Sequence, residues 1–287
     1  MDKRALLALV AALAVAVAVW VLYPKPHNSL KVSTTTSLYD SGLLGALSSY
    51  FKKESGTELQ FLVVGSGQAL RLAKDGAVCL TLVHAPSLEK KYSDYLTDHI
   101  IFAYNYFVIV GPKDDPAGIR NSTDAVEAFK KIYEAGERGE ATFVSRGDMS
   151  GTNVKELSLW KLAGLDPKGK EWYKSTGSGM AKTLIVANDL KAYTLSDIST
   201  FLKLKKEGKL DNLEILYSNS TELINVYSAY RVKGCNDPKA LEFLKFLKGE
   251  GQEIIASYGK EEFGVPLFYP AEGKEAWLSQ IWEELAK

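Results

Sequence analysis

The stretch LQFLVVGSGQALRLAK, residues 59–74, passes from a strand-like run through a turn of small residues into a helix-like run. Leu59–Val64 is apolar and contains β-branched residues, which is typical of a buried strand. Gly65-Ser66-Gly67 ends that run, and Gln68–Lys74 starts a helix. The same order of strand, turn and helix recurs elsewhere in the chain. This alternation predicts an α/β fold with a mostly parallel sheet that helices cover.

A turn-rich break interrupts the alternation at Gly111–Pro116, which contains two prolines and two aspartates. A second α/β unit follows, and the strand-like run Leu223–Val232 then returns to the first unit. One lobe that is interrupted by another, with two crossing segments, predicts a hinged two-lobed clamshell. The predicted parts are a signal or anchor segment with its tether at residues 1–27, lobe I at 28–112 plus 222–287, and lobe II at 113–221.

The N-terminus carries an apolar run that predicts export. Lys3 and Arg4 precede the uncharged stretch Ala5–Tyr23, which ends at Pro24. The apolar part of a secretory signal has about 7–15 residues, whereas a membrane-spanning helix needs about 18 or more. Because no small-residue cleavage site follows the run, we favour an uncleaved anchor over a cleaved signal. In either case the rest of the chain is expected outside the cytoplasm, either membrane-anchored or secreted and periplasmic.

Charge and metal-ligand content exclude several classes of function. Lys plus Arg and Asp plus Glu each total 35, a balance that argues against nucleic-acid binding. The three histidines are scattered and the chain has two cysteines, so we expect neither a zinc site nor another metal cofactor. Cys79 lies in an apolar run, where a buried unreactive thiol is expected. Cys235 lies in a turn, and a disulfide between the two stays open although nothing in the sequence favours it.

Four loops of small polar residues each lead into a helix-like run, at residues 33–37, 65–68, 145–152 and 177–180. The first turn of a helix offers unpaired backbone N–H groups and the positive end of the helix dipole. Glycine lets the backbone approach a ligand closely, and Ser and Thr hydroxyls donate further hydrogen bonds. Each loop alone is explained by ordinary capping and turn formation. Several such loops, distributed over two lobes, predict a shared anion site.

Arg146 is the most informative residue of the third loop. It lies between a strand and a capping turn, and Asp148 follows two residues later. A guanidinium stays protonated and can form charge-assisted hydrogen bonds to an anion. The alternative is a surface arginine paired with Asp148. We expect Asp148 to pair with Arg146 or to cap a backbone N–H group, and not to contact the anion.

Other chemical motifs fail on inspection. The segment Gly177–Thr183 lacks the glycine and the preceding strand of a phosphate loop, and Gly65-Ser66-Gly67 lacks the third glycine of a dinucleotide fingerprint. A hydrolase that used Ser37 or Ser150 would need an activating base. His84 follows a buried strand, where a packing or turn histidine is expected. The sequence therefore predicts a binding protein and not an enzyme, with a phosphate-ester hydrolase as the less favoured alternative.

Taken in order, a set of short blocks gives this chain a specific resemblance. From Val32 to Pro270 it resembles the tungstate-binding subunit of ATP-binding-cassette (ABC) importers. The blocks are Thr34-Thr35-Thr36-Ser37, Val64-Gly65-Ser66-Gly67-Gln68, Leu82-Val83-His84-Ala85-Pro86, Phe107-Val108-Ile109-Val110-Gly111-Pro112, Ser145-Arg146-Gly147-Asp148, Ser150-Gly151-Thr152, Gly179-Met180, Ala192-Tyr193-Thr194-Leu195 and Gly264-Val265-Pro266-Leu267-Phe268.

The resemblance implies a two-lobed periplasmic-binding-protein-like fold of type II. It implies tungstate as the ligand, with molybdate a close competitor and phosphate or another oxyanion as the alternative. It also implies an ABC permease and ATPase as partners, and no cofactor. The ligand-binding residues carried over from the family are Thr35, Thr36, Ser37, Ser66, Gly67, Arg146, Ser150, Gly151 and Thr152, with Met180 as a weaker candidate.

Overall fold

A computed structural model of the chain describes residues 28–218 and 220–287. The predicted anchor Ala5–Tyr23 lies outside the described residues. Within the two described ranges, no helix is both long enough and apolar enough to cross a membrane.

The predicted alternation of strands and helices is confirmed for the described residues, and two predicted helices, Ile198–Lys206 and Pro238–Lys248, have the expected bounds. The strands are β1 (Ser29–Thr35), β2 (Glu58–Val64), β3 (Leu80–Val83), β4 (Leu96–Pro112), β5 (Phe143–Ser145), β6 (Tyr173–Ser175), β7 (Thr194–Asp197), β8 (Leu213–Tyr217), β9 (Ile224–Val232) and β10 (Tyr269–Pro270). The α-helices are α1 (Thr36–Asp40), α2 (Leu43–Ser55), α3 (Ser66–Lys74), α4 (Pro86–Glu89), α5 (Ala125–Glu137), α6 (Gly151–Leu162), α7 (Met180–Leu190), α8 (Ile198–Lys206), α9 (Pro238–Lys248), α10 (Gly251–Ser257), α11 (Lys260–Phe263) and α12 (Glu275–Leu285). Short 3-10 helices lie at Lys90–Tyr95, Ile119–Asn121 and Thr221–Leu223.

The main sheet is mixed, with the strand order β10-β4-β9-β3-β1-β2. Strand β1 pairs in parallel with β2 and β3, whereas β9 pairs antiparallel with both β3 and β4. The prediction of a mostly parallel sheet is therefore wrong. The reason is that β9 runs against both β3 and β4, and β7, β8 and β10 run against β4. Local alternation along the chain carries no signal for the direction of a distant partner strand.

Strand β4 takes part in both halves of the molecule. Its residues Leu96–Tyr106 pair with β9, and Phe107–Pro112 pair with β7 and β8. Separate apolar cores lie around the two parts, and this arrangement agrees with the predicted two-lobed fold. The first core includes Leu44, Phe51, Phe102 and Phe243, and the second includes Phe129, Phe143, Trp160 and Tyr193.

Cys79 and Cys235 form a disulfide, with their Cα atoms 5.5 Å apart. The expected buried free thiol at Cys79 is therefore wrong. Antiparallel pairing of β3 with β9 sets Leu80 opposite Arg231, so Cys79 comes next to the end of β9. The turn after β9 then brings Cys235 back towards it. The two cysteines are 156 residues apart in sequence, and only the strand pairing makes them neighbours.

Candidate anion-binding site

The predicted loops lead into the first turns of α1, α3, α6 and α7. Thr35 and Ser150 cap α1 and α6 with their side-chain oxygens. Gly65 and Gly179 stand in extended conformation before α3 and α7 and offer no side-chain cap. The first-turn N–H groups of a helix have no acceptor within it. The three longer helices α3, α6 and α7 therefore bring unpaired donors and positive dipole ends to these loops.

Loops from the two halves of the molecule approach closely. A Cβ atom added at Gly65 would lie 3.4 Å from the backbone oxygen of Asp148. A Cβ atom added at Gly151 would lie 2.7 Å from the Cε1 atom of His84, a distance at which something would have to shift. Gly151 thus allows the beginning of α6 to pack against the turn that follows β3. The β2–α3 turn and the β5–α6 loop form two walls of one site.

Arg146, in the β5–α6 loop, is buried with 1% of its surface exposed, and it connects this loop to α1. Its Nη2 atom donates to Asp148 Oδ2 at 2.6 Å and to Thr36 Oγ1 at 3.0 Å. The alternative of a surface arginine is therefore wrong, although the pairing with Asp148 is as expected. Because Thr36 lies on α1 and Arg146 lies after β5, the hydrogen bond between Arg146 and Thr36 joins the two predicted lobes.

Both carboxylate oxygens of Asp148 are occupied. While Oδ2 accepts from Arg146, Oδ1 accepts from the backbone N–H of Ser150 at 3.1 Å. The expectation that Asp148 pairs with Arg146 or caps a backbone N–H group is confirmed on both counts. The carboxylate also holds the loop in shape, since it fixes the arginine and the first turn of α6 together.

Several buried donor atoms around these loops have no hydrogen-bond partner among the described residues. They include Ser66 Oγ, Thr152 Oγ1 and the Nε and Nη1 atoms of Arg146. A buried donor without an acceptor costs about 1–3 kcal/mol, and more when it is charged. All of these groups can donate hydrogen bonds, and the guanidinium is cationic. The cluster is therefore suited to a buried ligand that accepts several hydrogen bonds and is negatively charged.

His84 is buried behind the site and is fully engaged. Its Nε2 atom lies 3.2 Å from Ser37 Oγ, and its Nδ1 atom lies 2.9 Å from Asn225 Oδ1. The ring stacks on Tyr227 at 5.1 Å between centroids. Burial lowers the pKa of His84 to about 4, so the ring is neutral at pH 7. The expected packing role of this histidine is confirmed.

The predicted ligand residues divide into groups by what their side chains do. Ser66, Arg146 and Thr152 carry buried side-chain donors without a partner among the described residues, and Thr36 Oγ1 accepts from Arg146. Gly67 and Gly151 provide close backbone. The Thr35 and Ser150 hydroxyls act as helix caps. Met180 instead places its side chain in an apolar core, so it can reach a ligand only through its backbone N–H group. The residues of that core include Val108, Val144, Leu184 and Phe201.

Sequence reasoning missed Glu156, which holds the Arg146 loop in place. Glu156 lies inside α6, and its carboxylate accepts from Ser145 Oγ at 2.6 Å, Tyr173 Oη at 2.6 Å and Trp160 Nε1 at 3.1 Å. Burial raises the pKa of the Glu156 carboxyl. An acidic residue on a helix is usually exposed, so no sequence signal indicated this role. Thr34 was also missed: its Oγ1 atom is buried without a partner in the described part of the chain.

Comparisons with known proteins agree with this fold. Residues 24–250 match the PBP superfamily domain. The chain is 38% identical over 258 residues to the tungstate-binding protein TupA of Peptoclostridium acidaminophilum, covering 86% of this chain and 87% of that protein. It is 40% identical over 258 residues to a putative ABC transporter anion-binding protein of Haloferax volcanii, covering 85% and 72% of the two chains.

A solved structure gives the same result. The crystal structure of the tungstate ABC transporter from Geobacter sulfurreducens is 42% identical, has a TM-score of 0.72 and covers 82% of this chain and 100% of that one. The fold and the relatives together define a class of two-lobed solute-binding proteins. The chain belongs to the PBP superfamily, in the family that contains the TupA proteins.

Proposed function

We propose that this protein is the extracytoplasmic solute-binding component of an ABC importer and that it captures tungstate between its two lobes. The observation that carries the proposal is the cluster of buried donors without acceptors on Ser66, Thr152 and Arg146. The relatives named for tungstate support this choice of ligand over other anions. Molybdate, which has the same charge and shape, is the nearest competitor.

A fully deprotonated tetrahedral oxyanion matches the cluster because its four oxygens only accept hydrogen bonds. Hydrogen bonds from charged donors are stronger than those from neutral donors, and the guanidinium of Arg146 supplies such bonds. The first-turn N–H groups of α3 and α6 add donors that need no side chain. The guanidinium provides one fixed positive charge, and its partner Asp148 keeps it in place.

Phosphate is the second candidate, and the contacts of Asp148 argue against it. At neutral pH phosphate carries at least one proton, and a buried P–OH group requires an acceptor. Both oxygens of Asp148 already accept hydrogen bonds from Arg146 and Ser150. Sulfate carries no proton, but it is smaller, so donors spaced for tungstate would lie too far from its oxygens.

Delivery requires that the closed, loaded form differs from the open one. The predicted lobes, 28–112 plus 222–287 and 113–221, meet at the contact between Arg146 and Thr36. An anion that contacts both lobes binds the closed form better and shifts the population towards it. The permease, the partner of the ATPase subunit in the importer, then receives the ligand from that form.

Two features support a place outside the cytoplasm. The disulfide between Cys79 and Cys235 is of a kind that persists in oxidising compartments and is rare in the cytosol. The apolar run Ala5–Tyr23 fits an export signal or an anchor. Mass spectrometry of the native protein distinguishes these two: we expect an intact N-terminus, and a mature chain that starts near Pro24 would indicate a cleaved signal.

We do not assign catalysis to this site. A hydrolase would need a base to activate Ser37 or Ser150. His84 Nε2 lies 3.2 Å from Ser37 Oγ, but burial lowers the pKa of this ring to about 4, which makes it a poor base at pH 7. The Ser150 hydroxyl caps α6. Turnover of a phosphate ester that is lost in an Arg146→Ala variant would contradict this assignment.

Isothermal titration of the full-length protein with tungstate, molybdate, sulfate and phosphate tests the proposal. We expect tungstate to bind at least as tightly as molybdate, and both far more tightly than the other two. Tungstate affinity should be nearly constant from about pH 6 to 8, because arginine does not titrate there and His84 has a pKa of about 4. Tightest binding of phosphate, with an affinity that follows its second ionisation, would identify a phosphate carrier instead.

A further inference from the structure

A buried chain of polar side chains runs from the crossing strands to the anion site. Asn105 on β4 and Asn225 on β9 are direct partners in the antiparallel register. Asn225 leads to His84, and His84 leads to Ser37 at the beginning of α1. All four side chains are buried. Because each link is a hydrogen bond, the donor and the acceptor of each link can be assigned in turn, starting from one end of this series of side chains.

The contact at the end away from the anion site determines the orientation of the Asn105 and Asn225 side-chain amides. The backbone oxygen of Leu267 can only accept, so the amide nitrogen of Asn105 points towards it, at 3.3 Å. The Asn105 oxygen therefore faces Asn225 and receives a hydrogen bond from the Asn225 amide nitrogen at 3.0 Å. The same nitrogen donates to the Tyr227 hydroxyl at 2.7 Å. Asn225 is thus left with its oxygen towards His84.

The orientation of Asn225 determines the tautomer of His84. Its oxygen accepts, so the Nδ1 atom of His84 must carry the proton in the 2.9 Å contact. Burial lowers the pKa of His84 more than the charges of Asp197 and Asp148 raise it, and Arg146 lowers it further. The ring is then neutral and its Nε2 atom has no proton. The hydroxyl of Ser37 must donate in the 3.2 Å contact.

We propose that His84 is a positioning residue of the anion site: its Nε2 atom accepts a hydrogen bond from the Ser37 hydroxyl and so withholds this donor from a bound oxyanion. This inference rests on the proposed function and revises one predicted contact, because the Ser37 side chain can no longer act as a donor to a dianion. An oxygen whose proton is committed elsewhere presents only lone pairs, which do not attract an anion. The side-chain donors left for the ligand are those of Ser66, Thr152 and Arg146, together with the Thr36 hydroxyl, whose oxygen accepts from Arg146.

Nitrogen NMR of the full-length protein in detergent micelles, labelled with 15N-histidine and free of ligand, tests the proton assignment. We expect His84 as the neutral tautomer with its proton on Nδ1, without titration between pH 6 and 8. A His84→Gln variant identifies its signals among those of the three histidines. A proton on Nε2, or a charged ring at pH 7, would overturn the proposal. Because no ligand is used, this result does not depend on which anion the protein binds.

Tungstate titration of two serine variants tests the consequence for binding. Ser66→Ala removes a hydroxyl that has a free proton, so its affinity should fall roughly tenfold or more. Ser37→Ala removes a hydroxyl whose proton belongs to His84, so its loss should be several-fold smaller. Circular dichroism checks that both variants fold. An equal or larger loss in Ser37→Ala would show that the Ser37 hydroxyl donates to the anion. If the wild-type protein binds none of the oxyanions, the proposed function is wrong. The NMR experiment still tests the tautomer of His84, because it uses no ligand.

Discussion

At the scale of single residues, Arg146 determines the character of the site. Its place between strand and cap made it a candidate from sequence, since an arginine in a capping loop is unusual there. Its burial could not be predicted, because it depends on Thr36 from the other lobe. The roles of Ser37 and Ser150 could not be predicted either. In sequence, a serine that donates to a ligand cannot be distinguished from one that bonds to a histidine or caps a helix.

Replacing Arg146 by alanine should weaken tungstate binding by about 2–5 kcal/mol, the usual cost of losing a buried charged partner at an interface. Isothermal titration measures the loss. Arg120→Ala is a matched control, because Arg120 lies exposed in a surface ion pair with Glu214 at 2.7 Å. The control should bind as the wild-type protein does.

Thr36→Val provides the comparison that ranks charge against hydroxyl. It removes one neutral hydroxyl and the acceptor of Arg146 Nη2, so about 0.5–1.5 kcal/mol should be lost. A larger loss than in Arg146→Ala would contradict this ranking. Unchanged affinity in a folded Arg146→Ala variant would remove Arg146 from the set of ligands.

At the scale of elements, the sequence predicted those features that depend on residues close together in the chain. Helix beginnings could be predicted because a capping residue and the apolar spacing that follows it are neighbours in the chain, as at Asp197 before α8. The direction of β9 could not be predicted, because it depends on β3 and β4, which are far away in sequence. The five-residue strand β8 was missed for the same reason, since it is defined by its pairing with β4.

The disulfide is a consequence of that pairing and should stabilise it. Replacing Cys79 and Cys235 together by serine should lower the free energy of unfolding by about 2–5 kcal/mol, because the bond closes a long loop in the unfolded chain. Urea denaturation of the double variant against the wild-type protein measures this. Neither sulfur contacts the anion site, so tungstate affinity in the folded state should stay the same. Two titratable thiols in the native, oxidised protein would contradict the assignment.

At the scale of the whole molecule, the proposed site belongs to neither predicted lobe alone. Its polar contact between lobes joins Arg146 to Thr36. Two further contacts join the predicted lobes: Lys203 on α8 donates to the backbone oxygen of Asp40 at 2.9 Å, and Lys206 pairs with Glu262 at 3.0 Å. Exposed ion pairs contribute little to stability, so these contacts alone would not hold the lobes closed. A bound anion that accepts hydrogen bonds from buried donors of both lobes would contribute more to the stability of the closed form.

A crystal of the protein grown with tungstate, measured at the tungsten absorption edge, tests the central claim most directly. The anomalous signal locates the metal without reference to the rest of the structure. We predict one strong peak between the lobes, with tungstate oxygens about 2.7–3.2 Å from donors on Arg146, Ser66 and Thr152. A peak elsewhere on the surface, or none in a closed protein, would contradict the assignment of this cluster as the tungstate site.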